Sequence, residues 1–264
     1  MTSLGMTGEA GAARPAIFVA STGRCGSTML SNMLRLNPEI LSLSEFLVLL
    51  LPDPLPPGEF DAAAYWRLLS QPRPFLMRAY RLGLRVPEFL YLPGPGRRFN
   101  AATGIPPILI TALPHLSDDP EELYDEVEAF VGGLSPASAA TQHRRLFSWL
   151  CDRFCARVWV ERSGSSLLYL SQLAGLFPDA KFVHLYRDGR ECAYSMSRNA
   201  GYRLATVSMM LQSRLGMTPY LGDNRAVRLV EPRSPRWPAL PQEQSRELTR
   251  VCEPTMRRLY GGIS

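Results

Sequence analysis

Apolar positions along the first fifty residues change period twice. Ala16 to Ala20 (AIFVA) is a continuous apolar run of strand length. From Ser27 to Leu36 the period is helical, with Met29, Leu30, Met33 and Leu34 on one face and a stop near Pro38. Ile40 to Leu43 reads as a second short strand, ending just before Ser44, Glu45 and Phe46. Prolines interrupt Leu51 to about Leu116 again and again, and the segment is dense in aromatic and aliphatic residues. Short helices fit at Asp61–Leu69 and Phe75–Leu82. We read residues 51–116 as an insertion that caps the fold or walls an acceptor site. Asp119 to Phe154 is helical, in two helices, the first opening on an acidic turn that suits a helix N-terminus.

Strand and helix then alternate. Arg157–Glu161 and Lys181–Tyr186 read as strands, the second apolar enough to be covered on both faces. Ser165–Leu176 and Asp188–Met196 read as helices, the latter with a capping box formed by Asp188 and Glu191. A last helix is expected at about Pro241–Tyr260. Such alternation predicts an α/β fold, a central parallel sheet with helical crossovers. The 264 residues suit one domain, 1–264, with residues 1–14 a flexible tail.

Between the first strand and its helix lies STGRCGSTML, residues 21–30. Unpaired N–H groups at a helix N-terminus, reinforced by the helix dipole, attract anions. Gly23 and Gly26 permit the turn, Ser27 and Thr28 offer hydroxyls, and Arg24 adds a fixed charge. The triphosphate-binding loop G-x-x-x-x-G-K-[ST] is not present, because Ser27 follows Gly26 where that pattern has lysine. A second constellation, FPDAKFVHLYRDGRECAYSM, places Arg187 after a strand and Ser195 two turns into the next helix. Ligands of open parallel sheets bind beyond the carboxyl ends of the strands, so both constellations can reach one ligand.

Composition narrows the classes. The net charge is +5, and all but one of the 29 basic residues are arginine. Arginine suits bidentate binding of phosphate or sulfate. The arginines are scattered rather than gathered into a basic face, which argues against a nucleic-acid partner. No run approaches the ~20 apolar residues of a transmembrane segment. Five cysteines, an odd number, with no secretory signal argue against a disulfide framework and for a cytoplasmic protein. Cys151 and Cys155 stand four apart on an expected helix and read as buried free thiols.

The chain resembles the PAPS-dependent sulfotransferases. GRCGSTML is similar to the family's 5′-phosphosulfate loop, written with Lys or Arg and then Ser-Gly-Thr-Thr or Ser-Gly-Ser-Thr. LYRDGRECAYSM is similar to its 3′-phosphate motif, an Arg and a Ser eight residues on, here Arg187 and Ser195. The resemblance covers roughly residues 15–50 and 155–200 and points to a bacterial type with features of the tyrosylprotein sulfotransferase branch. It implies a three-layer α/β/α, P-loop NTPase-like fold. It also implies a donor, 3′-phosphoadenosine 5′-phosphosulfate (PAPS), leaving as adenosine 3′,5′-bisphosphate (PAP), and no metal. Arg24, Cys25, Gly26, Ser27 and Thr28 would cradle the 5′-phosphosulfate, with Arg24 on the oxygen that bridges phosphorus and sulfur. Arg187 and Ser195 would hold the 3′-phosphate. Cys25 stands where many members have Ser, so one hydroxyl contact is replaced by a backbone amide.

The candidate base is Glu45, in LSLSEF, where the tyrosylprotein branch carries a catalytic Glu; His115 is the other candidate. His184 reads as a core residue and His143 as a helix residue. Arg162, after a strand end, is a candidate sulfuryl contact, and Trp237 a candidate platform for adenine. Two other classes stay open: a kinase or related phosphoryl-transfer enzyme, and a non-catalytic nucleotide-binding module. The acceptor is an alcohol, lipidic, sugar or another small molecule, and the oligomeric state is open, a homodimer included.

Overall fold

A computed structural model describes residues 14–83, 86–164 and 166–199, with isolated positions at Glu243, Arg246 and Arg250. Strands β1 (Ala16–Ala20), β2 (Ile40–Ser44), β5 (Val158–Ser163) and β6 (Lys181–His184) form a parallel sheet in the spatial order β2-β5-β1-β6, flanked by helices. Strands β3 (Glu59–Phe60) and β4 (Ala137–Ser138) pair antiparallel in a second, two-stranded sheet that the hydrophobic pattern does not announce.

The central strands are buried because their side chains are. In β1, Phe18 meets Trp159 of β5 edge-on at 5.4 Å, and Phe147 closes on Trp159 at 5.0 Å. Such aromatic contacts add to plain area burial. The helices begin where polar caps allow. Asp61, Asp119 and Ser138 each accept from the backbone N–H three residues on, and Asp188 accepts from Arg190 N at 2.8 Å. The second half of the expected capping box is absent, because Glu191 pairs with Arg187 instead.

The insertion is woven into the core. Tyr65, Leu69, Met77, Tyr91, Ile105 and Ile108 belong to the same buried cluster as Phe18 and Trp159. Its helices run Ala62–Ser70, Pro74–Arg81, Pro107–Ile110 and Ala112–Leu116.

Three local expectations change. The helix after β1 spans Ser27–Leu34, and its buried residues are Ser27 and Ser31, whereas Met29 and Met33 are exposed among the described residues. Small serines bring this helix against β2, where Ser31 Oγ lies 2.8 Å from Ser42 Oγ. Strand β6 stops at His184, and Lys181 and Val183 are exposed among the described residues, so one face is open there. Cys151 is a buried free thiol as expected, but Cys155 lies past the helix end, exposed. The expected N-terminal tail (except Arg14), the last helix (except Glu243, Arg246 and Arg250), Cys252 and Trp237 lie outside the described residues.

Candidate functional site

Parallel pairing puts all four carboxyl ends on one edge. Ala20 is level with Ser163 and with His184, and Ser44 is level with Arg162. The next residues along each strand therefore gather there: the loop 21–26, Glu45, Gly164 and the segment 185–187.

The loop after β1 turns through left-handed backbone at Gly23 (φ 80°), Arg24 (φ 56°) and Gly26 (φ 98°). A side chain on Gly26 would meet nothing within 4 Å, so the ground before the helix N-terminus is open. Cys25 and Ser27 are buried, Thr28 and Gly26 exposed. Exposed amides and a hydroxyl at an uncapped N-terminus match a phosphate or sulfate oxygen in chemistry.

Arg24 joins the two constellations. Its Nε donates to Ser195 Oγ at 3.1 Å across 171 residues of sequence, and Cys192 Sγ lies 3.9 Å from the Arg24 carbonyl. Its Nη1 donates to Glu88 at 2.7 Å. Glu88 belongs to the insertion and is anchored at its own carbonyl by Thr111 Oγ1 at 2.5 Å, with Asn199 Nδ2 at 3.4 Å from its carboxylate. Arg187, its side chain 41% exposed, pairs with the buried Glu191 one helical turn ahead.

Glu45 adopts φ 59°, ψ 22° at the head of a four-residue helix, yet its side chain makes no capping bond. The carboxylate turns to Arg162 Nη1 and to Gly164 N, the latter at 2.9 Å, while Arg162 Nη2 donates to Ser44 Oγ at 2.6 Å. Arg24 and Glu45 are two of three described non-glycine residues with positive φ. Strain of this kind persists where surrounding contacts enforce it, and active sites are a common place for it. Burial raises the Glu45 pKa above the ordinary carboxylate value. Arg162 and the Gly164 amide oppose that rise, and the charge of Glu88 adds to it.

Beneath this pair lies Glu161, fully buried. One carboxylate oxygen accepts from Ser163 Oγ at 2.5 Å and Leu47 N at 3.3 Å, and the other takes no partner among the described residues. Burial lifts its pKa to about 7. His115 is 4% exposed behind the first helix, its Nε2 3.1 Å from Ser31 Oγ, and burial, with the charges of Arg35 and Arg162, lowers its pKa to about 4. His143 is buried between Tyr65 Oη at 2.7 Å and the Pro54 carbonyl at 2.8 Å. His184 is half-buried in β6, not fully in the core.

The structure thus gathers Arg24, Ser195, Cys25, Gly26, Ser27 and Thr28 around one loop and sets Glu45 against Arg162 at the same sheet edge. Sequence reasoning missed Glu88, whose proline-rich surroundings carry no periodic signal, and the pairing of Arg187 with Glu191. It also missed Glu161 as a buried acid, although a carboxylate following the apolar run VWV is the signal that could have shown it. No group of three or more His, Cys, Asp or Glu among the described residues could hold a metal ion, and no described helix is long and apolar enough to cross a membrane.

The Sulfotransferase family model matches residues 15–244 of the chain. No curated protein and no solved structure matches it.

Proposed function

The chain belongs to the sulfotransferase family, and from that premise we propose that it moves a sulfuryl group from PAPS to an alcohol and releases PAP. The observation that carries this reading is the Arg24–Ser195 contact, which closes the 5′ loop onto the 3′ motif. A nucleotide phosphorylated at both ends fits a site whose two anion-binding parts touch.

The loop amides, Ser27 and Thr28 bind the 5′-phosphosulfate, and the Cys25 amide serves in place of a hydroxyl. Arg187 and Ser195 bind the 3′-phosphate. Ser195 Oγ accepts from Arg24, so its own hydroxyl hydrogen is the one turned to that phosphate. Glu45 takes the proton of the acceptor hydroxyl as the acceptor oxygen forms its bond to sulfur. The bond from sulfur to the bridging oxygen breaks, and Arg24 steadies the negative charge that collects on that oxygen. Arg162 keeps Glu45 oriented. A base with a raised pKa holds the proton better, which suits work near neutral pH. Positioning and fixed charge supply the acceleration, with no metal invoked. The place of Glu45 at the carboxyl end of β2, bonded to Arg162 and to the Gly164 amide, favours it over His115 as the base. The acceptor is a small, lipidic or sugar alcohol, admitted beside the aromatic insertion, and the site lies in a cytoplasmic enzyme.

The test is release of PAP from PAPS in the presence of a panel of hydroxyl acceptors. Acceptor-dependent release is expected, and it should vanish in Glu45→Gln while PAP still binds. Glu45→Gln turning over as fast as wild type would remove Glu45 from the mechanism. PAP release from no acceptor, with ATP hydrolysed instead, would move the chain to phosphoryl transfer.

A further inference from the structure

Both arginines of the proposed donor site are already neutralised by carboxylates of the chain itself. Arg24 is paired with Glu88 at 2.7 Å, with side chains 28% and 23% exposed. Arg187 is paired with Glu191. The two carboxylates differ in origin. Glu191 sits on the helix of the 3′ motif, one turn from its arginine. Glu88 comes from the insertion and is pinned there by the Thr111 hydroxyl on its carbonyl. No local geometry requires Glu88 to reach the loop, so this long-range contact is built by the fold.

Resting on the donor reading above, we propose that Glu88 is a specificity-determining residue: a built-in carboxylate that occupies Arg24 and must be exchanged for the ligand's 5′ anion. An incoming phosphate or sulfate meets two obstacles. It must break the Glu88–Arg24 hydrogen bond, and it must approach a fixed negative charge. Juxtaposed like charges are a strong means of rejecting wrong partners. A ligand with only a 5′ anion, such as AMP, or a free anion such as pyrophosphate, has one anchor to set against that cost. A ligand that also carries a 3′-phosphate adds a second anchor at Ser195 and at Arg187, whose pairing with Glu191 leaves its side chain 41% exposed. Glu88 therefore sets a threshold that a bis-anionic nucleotide crosses and abundant plain phosphates do not.

The experiment is calorimetric titration of wild type, Glu88→Gln, Glu88→Ala and Glu88→Asp with PAP, AMP and inorganic pyrophosphate, with thermal unfolding to confirm that each variant is folded. Glu88→Gln and Glu88→Ala should bind AMP and pyrophosphate about tenfold more tightly than wild type, and Glu88→Asp, which keeps the charge, should not. Unchanged or weaker anion binding in the neutral variants would overturn the proposal, for Glu88 would then merely hold Arg24 in place. The donor reading is judged separately. If PAP fails to bind every form while pyrophosphate gains in the neutral variants, the threshold stands and the donor assignment falls. If PAP binds but no anion gains, the donor assignment stands and the threshold falls.

Discussion

Replacing Glu161 by Gln should flatten the dependence of stability on pH. Glu161 is fully buried, with one oxygen bonded to Ser163 and Leu47 and the other unpartnered among the described residues. Burial moves its pKa from the ordinary 4.5 to about 7 in the folded chain. Between those two values the folded state keeps a proton that the unfolded state has released. Folding stability therefore falls as pH rises from about 4.5. The loss is complete above about pH 7 and amounts to about 3 kcal/mol. Gln keeps the acceptor oxygen for Ser163 and Leu47 but cannot ionise. The unpaired amide hydrogens cost the same at every pH, so they shift the variant's curve without bending it. Urea unfolding of both proteins at pH 5, 6, 7 and 8 reads the difference. Wild type should lose stability relative to the variant by about 2.5 kcal/mol across that range, with most of the change between pH 5 and 7. A difference that stays constant from pH 5 to 8 would refute the argument and mean that Glu161 is ionised throughout.

Other outcomes follow from the same edge of the sheet. Arg162→Met leaves the buried Glu45 carboxylate without its cation and should cost about 3–5 kcal/mol at pH 8 by urea unfolding. The cost should shrink as pH falls, because burial raises the Glu45 pKa and the neutral acid needs no cation; a deficit below about 1 kcal/mol at pH 8 would mean that Arg162 does not hold a buried charge there. Arg187→Ala should weaken PAP by about tenfold while changing adenosine 5′-phosphosulfate little, and equal losses in calorimetry would take Arg187 off the 3′-phosphate. Ser195→Ala removes the Arg24 contact, so PAP should weaken several-fold; an unchanged Kd would detach Ser195 from the donor.

The sheet was readable because its strands are short apolar runs separated by helical periods, and burial alone enforces that pattern. AIFVA is β1, and all of RVWVE but Arg157 lies in β5, each strand paired with its parallel neighbours. The loop after β1 was readable because its form is local, a turn between strand and helix with glycines at left-handed positions. The first helix was legible but its buried face was not. Periodicity groups Met29 and Met33 on one face, but a close approach to β2 needs small residues, and the serine face is the buried one. The ion pairs of the site are long-range. Arg24 meets Glu88 and Arg162 meets Glu45 through tertiary structure, and neither spacing nor composition signals such contacts. The insertion was legible as a proline-rich interruption, yet its share of the common core came from side chains with no shared period.

In the proposed enzyme the loop and the 3′ motif together bind a nucleotide phosphorylated at both its 5′ and 3′ positions. Titration with PAP in EDTA, beside ATP with magnesium, tests it most directly. Micromolar binding of PAP without metal and little response to ATP are expected. Tight binding of magnesium–ATP with no response to PAP would contradict it and give the site to phosphoryl transfer.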